Sequence, residues 1–354
     1  MKYTLSTFLV GQLWPMPPVL RKDLSEKTAI VIGSNTGIGY ETAKHFASMG
    51  VTRLVLAVRN REKGEAARKQ LEEETGFRNA EVGIVDLTSF ESVGNFVKEF
   101  EKNLDARLDI LVLNAAIFPQ LHNSRTKDGW ETSHQTNHLS TSLLALLFLP
   151  LLSSTAKKYD TTPRVVVLTS GTHYRIQFDK NLIESENPLR HFDSKDYFDP
   201  QNAGAAAQQG RYNETKLLNV FFARALAART PASHTYPTFI TTAVNPGLSY
   251  SAGLNPDTDS RILKVAVSVL RFIFARSQEQ AARQAVWGAL ADEAGINGSY
   301  ITETTITESS DYVIGDEGVL AEEKLWNNLV DELSKINLKV QEIVDRYLTI
   351  PVPH

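Results

Sequence analysis

The chain contains no cysteine. Disulfides, a cysteine nucleophile and a thiolate metal site are therefore excluded, and a reducing compartment is allowed. Excess positive charge is also missing, since 37 Lys and Arg face 41 Asp and Glu for a formal net charge of −4. Without that excess a phosphate backbone is poorly neutralised, so the chain is not expected to bind nucleic acid. Long apolar runs are scarce. The uncharged stretch from His134 to Ala156 contains Ser140, Thr141, Ser142 and Pro150, and only Leu143 to Leu152 is continuously apolar. A bilayer span needs about 20 apolar residues, so this stretch is expected to be a buried helix rather than a transmembrane segment. The apolar run within Met1–Gly11 is too short for a secretory h-region and no small-residue cleavage site follows. The expectation is a cytoplasmic protein, with lipid contact by Leu5–Trp14 as the alternative. Sequons at Asn213 and Asn297 carry little weight, because the first falls in a helix assigned a role below.

What is present suits a folded domain: 42% hydrophobic and 22% charged residues exclude wholesale disorder. From about Lys27 onward, short β-branched runs alternate with amphipathic stretches. The runs are Thr28–Ile32, Arg53–Val58, Glu81–Val85, Leu108–Leu113, Arg164–Leu168 and Thr238–Val244, and the stretches include Arg61–Thr75 and Phe90–Asn103. Strands alternating with helices of this length imply βαβ units. They predict an α/β fold with a doubly wound parallel sheet, helices on both faces, and its site at the carboxyl ends of the strands. One domain is expected over residues 26–350, with a C-terminal helix near 320–347. An arm over residues 1–25 precedes it, extended around Trp14-Pro15-Met16-Pro17-Pro18 because proline fixes φ.

After the first run comes Gly33-Ser34-Asn35-Thr36-Gly37-Ile38-Gly39, leading into a helical stretch. Glycines permit positive φ and close approach of a pyrophosphate, and the helix start offers free N–H groups to the anion. In the first βα turn of a βαβ pattern this predicts dinucleotide binding. Arg59 closes the second strand, after Val58 at the position where NAD enzymes carry an acid. Its planar fork suits a 2′-phosphate, which favours NADP(H) over NAD(H); the alternative is a solvated surface arginine.

Tyr212 and Lys216 stand four apart and so share a helix face. A phenol beside an ammonium ionises more easily and can then serve as acid or base. Tyr40 and Lys44 have the same spacing, but they follow the glycine turn directly and are read as a decoy.

The G-x-x-x-G-x-G spacing, the strand ending Thr169-Ser170-Gly171, the Tyr212-x-x-x-Lys216 helix and the strand ending Asn245-Pro246-Gly247 occur in that order. This arrangement resembles the classical short-chain dehydrogenase/reductase family, and in particular its fungal retinol-dehydrogenase-like members. The resemblance covers about Thr28–Ser251 and implies a Rossmann-type fold and an oxidoreductase. It implies that Ser170 holds a substrate carbonyl and that Tyr212 is the acid/base. Lys216 would lower the tyrosine pKa and grip the nicotinamide ribose, and Asn137 would anchor a proton-relay water. Asp86-Leu87 would meet the adenine, Asn114-Ala115-Ala116 would flank the cofactor, and Ser251 would donate to the carboxamide. Ile32 and Ala116 depart from the family's usual threonine and glycine without removing a catalytic group.

Ser170 and Tyr212 are 42 positions apart, which implies an insertion over about 173–210. It contains Phe178, Phe192, Tyr197, Phe198 and the flexible-looking stretch Ala203–Ala207, and reads either as a substrate lid or as a plain surface insertion. Residues 248–275 resemble the family's substrate loop, where Tyr250 and Leu254 can touch an apolar substrate. No metal is expected: His134 and His138 have i, i+4 spacing, but Gln135 stands where a zinc protease needs glutamate. A small hydrophobic carbonyl or alcohol is the expected substrate. The alternatives are an NAD-dependent alcohol oxidiser and a protein of the same fold that senses NADP(H) without catalysis. A homodimer through the helices of Asn137 and Tyr212 is the family's implication, unless the insertion blocks that surface.

Overall fold

Thr28–Ile32 reads Thr-Ala-Ile-Val-Ile and is buried along its whole length, which makes it a central strand (β1). The computed structural model describes residues 11–12, 15–102, 106–119, 124–233, 236–249 and 274–349. After β1 come helix α1 (Gly37–Ser48), β2 (Arg53–Val58), α2 (Arg61–Thr75), β3 (Ala80–Ile84), α3 (Phe90–Glu101) and β4 (Ile110–Leu113). The helical stretch Thr132–Tyr159 (α4) contains a π-helical turn at Gln135–Leu139 and leads to β5 (Arg164–Leu168). Two short helices, α5 (Lys180–Glu184) and α6 (Pro188–Phe192), precede the long α7 (Ala205–Arg229). Then come β6 (Ile240–Val244), α8 (Gln278–Leu290), β7 (Tyr300–Thr302), β8 (Thr305–Thr307), α9 (Asp311–Ile314), α10 (Asp316–Ile336) and α11 (Lys339–Tyr347).

The sheet order is β8-β7-β6-β5-β4-β1-β2-β3, parallel throughout except for the antiparallel β7–β8 edge. This is the expected Rossmann-type architecture. Residues alternate between two cores with period two. Ile30, Ile32, Leu111 and Val165 face the layer of α3, α4, α7 and α10, while Ala29, Val31, Val112 and Val166 face α1, α2 and α8. By length and composition α4 could cross a membrane, but Leu143–Leu149 are all buried in the first core, as expected for a core helix.

Three expectations change. The β7–β8 hairpin was not legible because its two-residue turn, Glu303-Thr304, takes φ 54° and 53° without glycine or asparagine. Tight hairpins of this kind normally announce themselves by Asn-Gly or Gly-Gly. The single C-terminal helix is two, because Asn337 is extended and its side chain accepts from the Lys339 N–H at 3.1 Å. The flexible-looking end of the insertion is helical, since Ala205–Ala207 form the first turn of α7. Asp179 and Asn187 cap α5 and α6, and Phe178, Leu182, Leu189 and Phe192 are buried in the first core. Asn328 and Glu332 of α10 accept from the Leu189 N–H and from Asn187 and Arg190 at 2.8–2.9 Å, so the segment is bonded to the helix behind it.

Candidate active site

β1 and β4 are hydrogen-bonded neighbours with Ile32 opposite Leu113, so the glycine turn and Asn114 leave the sheet side by side. This is the point where the strand order reverses and a crevice opens in such sheets. Asn114 Nδ2 donates to the carbonyls of Ile32 (3.0 Å) and Gly33 (3.1 Å), fixing the turn. Gly33 has φ 75°, and a Cβ there would stand 2.9 Å from that of Ala115; one on Gly39 would stand 2.4 Å from the Gly33 carbonyl oxygen. Gly37 also needs positive φ, at 69°. The opening N–H groups of α1 have no partner within the helix. The cradle, the free N–H groups and a basic residue at the tip of β2 together fit a phosphate-bearing dinucleotide.

A cleft of ≈ 270 Å³ runs from this turn to α7. Gly33, Asn35, Gly37, Ile38, Arg59, Asp86, Leu87, Asn114, Ala115, Ala116, Tyr212, Lys216 and Pro246 all line it. Arg59 is exposed and makes no hydrogen bond or ion pair with a described residue. Ser34 does not line the cleft: it is fully buried and its hydroxyl donates to the Val31 carbonyl at 2.8 Å. Gly39 and Gly247 shape neighbouring backbone, and Ser251, Tyr250 and Leu254 lie outside the described residues.

Tyr212 and Lys216 share the buried face of α7, as their spacing predicts. Both are shaped by burial. Lys216 Nζ donates to the Leu168 carbonyl at 2.8 Å and stands 5.7 Å from the Tyr212 ring centroid. Burial raises the phenol above its ordinary value, and burial lowers Lys216 to about 7. In this arrangement desolvation disfavours the charged form of both groups, and the ammonium is turned toward the Leu168 carbonyl. Above about pH 7, and up to the ordinary lysine value of 10.5, the unfolded chain holds the Lys216 proton while the folded chain releases it. Stability contributed by this group therefore rises with pH across that window. Relative to Lys216→Met, the parent chain is expected to gain about 1.4 kcal/mol per pH unit between about pH 7.5 and 9.5 in urea titrations. Parallel stability profiles would show instead that the ammonium is solvated.

Phe118 stacks face to face on Tyr212, with centroids 4.5 Å apart and planes at 5°. It covers one face of the phenol, and nothing in its sequence context singled it out. Asn137 sits in the π-helical turn, a local register change common at functional sites. Its Oδ1 accepts from the Ile117 N–H at 2.8 Å, and its Nδ2 donates to the Ile117 carbonyl (2.8 Å) and Thr215 Oγ1 (3.0 Å). Its own carbonyl accepts from Asn219 Nδ2 at 2.9 Å. Asn137 thus clamps the segment after β4 to α7, and it does not line the cleft. Ser170 is one residue beyond the lining residue Thr169; its Oγ accepts from the Thr172 N–H at 3.3 Å and opens a short 3₁₀ turn, Gly171–Arg175.

The decoy reading of Tyr40 and Lys44 agrees with their contacts, since both donate to Glu74 of α2, at 3.2 and 2.7 Å. His134 and His138 are buried with parallel rings; His134 meets Asp193 at 3.3 Å and His138 meets Asn219 at 3.1 Å. Among the described residues no three side chains gather to hold a metal.

Behind Tyr212 lies a buried ionic cluster that sequence spacing did not reveal. Arg211 Nε donates to Glu131 Oε2 at 3.2 Å and Nη1 to the Phe192 carbonyl at 2.8 Å, and its guanidinium lies 3.4 Å from the Phe192 ring centroid. Asp193 accepts from the Glu131 N–H (2.7 Å) and from Arg125 (2.8 Å). The cluster joins the insertion, the start of α4 and the turn of α7 that carries Tyr212.

A family model described as short chain dehydrogenase matches residues 27–172. The chain is 36% identical over 300 residues to a short chain dehydrogenase of Alternaria solani, covering 84% of this chain and 96% of that protein. It is 32% identical over 334 residues to a short-chain dehydrogenase of Penicillium roqueforti, covering 93% of this chain and 83% of that protein. Among solved structures it is similar to menthone neomenthol reductase from Mentha piperita, with TM-score 0.53, 22% identity and coverage of 77% of this chain and 97% of that one. Salutaridine reductase from Papaver somniferum gives TM-score 0.53 at 19% identity, with coverage of 77% and 99%. At these identities the structural likeness is one of fold.

Proposed function

The chain belongs to the short-chain dehydrogenase family of nicotinamide-dependent oxidoreductases, and from that premise we propose that it is an NADP(H)-dependent carbonyl reductase acting on a hydrophobic ketone or aldehyde. The observation that carries this reading is the single cleft in which Arg59 and the glycine turn converge with Tyr212 and Lys216. The first turn of α1 would meet the pyrophosphate, Arg59 the 2′-phosphate, and Asp86 and Leu87 the adenine. When bound, the nicotinamide supplies hydride to the carbonyl carbon. Tyr212 gives the carbonyl oxygen its proton, a role suited to a phenol that burial keeps protonated. The Ser170 hydroxyl, whose oxygen already accepts from the Thr172 N–H, has its hydrogen free to donate to the same oxygen. Lys216 braces the end of β5 through the Leu168 carbonyl and grips the ribose. Ile117 and Leu168 line the cleft beside Tyr212 and favour an apolar substrate. In a cytoplasmic setting, NADPH as donor makes reduction the working direction.

The test is fluorescence titration of the purified chain with NADPH and NADH, followed by turnover assays on apolar ketones and aldehydes. NADPH is expected to bind more tightly, and Arg59→Ala to weaken it roughly 10–100-fold, as loss of a hydrogen bond to a charged group predicts. NADH binding should be nearly unchanged in the variant. A preference for NADH, or an Arg59→Ala chain that binds NADPH like its parent, overturns the cofactor assignment.

A further inference from the structure

His173 lies three residues beyond Ser170, fully buried, and does not line the cleft. Its ring is held between two aromatic neighbours, with Tyr174 at 4.1 Å and Tyr300 of β7 at 4.6 Å between centroids. Nδ1 lies 2.9 Å from the Ser170 carbonyl oxygen, and Nε2 accepts from the Ser310 N–H at 3.3 Å. These partners assign the tautomer. A carbonyl only accepts and a backbone N–H only donates, so Nδ1 carries the hydrogen and Nε2 the lone pair. Burial lowers the imidazole to about 4, so it stays neutral and this pattern persists at neutral pH.

The consequence falls on Ser170. Its carbonyl receives two hydrogen bonds, one from the His173 N–H (3.3 Å) and one from the imidazole, which together fix the peptide that carries the hydroxyl. Through Nε2 that peptide is tied to Ser310, the residue capping α9, whose Oγ accepts from the Val313 N–H at 3.3 Å. An apolar ring would fill the same space without the cost of burying two polar nitrogens, so packing alone does not account for an imidazole here. We propose that His173 is a positioning residue for the reaction: it orients the Ser170 hydroxyl toward the substrate carbonyl by holding the Ser170 peptide, and it ties that peptide to the segment after β8. The inference rests on the carbonyl-reductase reading above. Because near-attack geometry is demanding, a serine misplaced by about 1 Å costs up to about 10²-fold in rate.

Three substitutions separate this role from packing. His173→Phe keeps a ring and loses both bonds. In His173→Asn the amide nitrogen occupies the place of Nδ1 and can still donate to Ser170, while the link to Ser310 is lost. In His173→Gln the amide oxygen occupies the place of Nε2 and keeps Ser310, while the Ser170 bond is lost. Two readouts are needed: kcat and KM for a reducible carbonyl together with NADPH affinity, and amide hydrogen exchange at Thr172, whose N–H is bonded to Ser170 Oγ. The expected result is a kcat lowered 10–100-fold in His173→Phe and His173→Gln and largely restored in His173→Asn. NADPH affinity should be unchanged throughout, and Thr172 exchange should be faster only in the variants that lose the Ser170 bond. Loss of kcat in His173→Asn equal to that in His173→Phe, or unchanged kcat and exchange in His173→Phe, overturns the proposal. If His173→Phe does not fold, the Asn against Gln comparison decides alone. A parent chain that binds NADPH but reduces no carbonyl would refute the reaction instead, and Thr172 exchange would still decide whether His173 holds the serine.

Discussion

Tyr212→Phe is expected to bind NADPH like the parent chain and to lose carbonyl turnover by roughly 10²–10⁴-fold, the usual worth of a positioned general acid. The substitution removes one oxygen and little else. The ring stays stacked on Phe118 at 4.5 Å, and Lys216 keeps its bond to the Leu168 carbonyl. Folding and cofactor binding should therefore survive, and the loss should appear in kcat with little change in NADPH affinity. Burial raises the phenol, so it stays protonated through neutral pH and its own titration should add no pH dependence to the reductive rate there. Alcohol oxidation, which needs the phenolate, should rise with pH over the same range. Stopped-flow or steady-state kinetics on the variant would settle the role, because turnover near the parent rate would assign the proton to another group.

Arg211→Leu is expected to cost about 3–5 kcal/mol of stability, the range found when one partner of a buried ion pair is removed. Arg211 is 1% exposed, Glu131 2% and Asp193 5%, so water cannot take over the guanidinium's part. Asp193 would keep Arg125, but among the described residues Glu131 would keep only hydrogen bonds from Ser133 and the His134 N–H. Adding Glu131→Gln removes that stranded charge and should recover part of the loss, a coupling that a double-mutant cycle reads directly. Because the cluster spans the insertion and α7, the single variant should also loosen the backbone beside Tyr212 and lower kcat. Urea unfolding of the four chains is the measurement. A loss below about 1 kcal/mol would mean that the cluster is hydrated and behaves like a surface pair.

The legible part of the fold was the part governed by local spacing. Runs such as Thr28–Ile32 and Arg61–Thr75 fall where periodicity put them, because a strand buried on both faces needs continuous apolar residues and a helix repeats its face every three to four. The β7–β8 hairpin escaped because Glu303-Thr304 turns without the usual glycine or asparagine. Arg276, from just before α8, bonds Glu303 across the fold at 3.0 Å and helps hold that turn. The packing of the insertion was not legible for a related reason. Its aromatic residues are spaced for no regular element, and distant surfaces, those of α7 and α10 and the Trp130–His134 segment, give Phe192 and Arg190 something to pack and bond against.

The candidate site divides along the same line. Glycine spacing, the Tyr212–Lys216 interval and the order of the strand ends are properties of neighbouring residues, and the chain's membership of its family follows from them. Tertiary structure decided the direction of the Lys216 ammonium, the tautomer of His173, the stacking of Phe118 and the pairing of Arg211 with Glu131. Each depends on which donor, acceptor or ring from a distant segment shares the same dry space. There, the cost of an unpaired polar group dictates the partner, and no one-dimensional pattern records it.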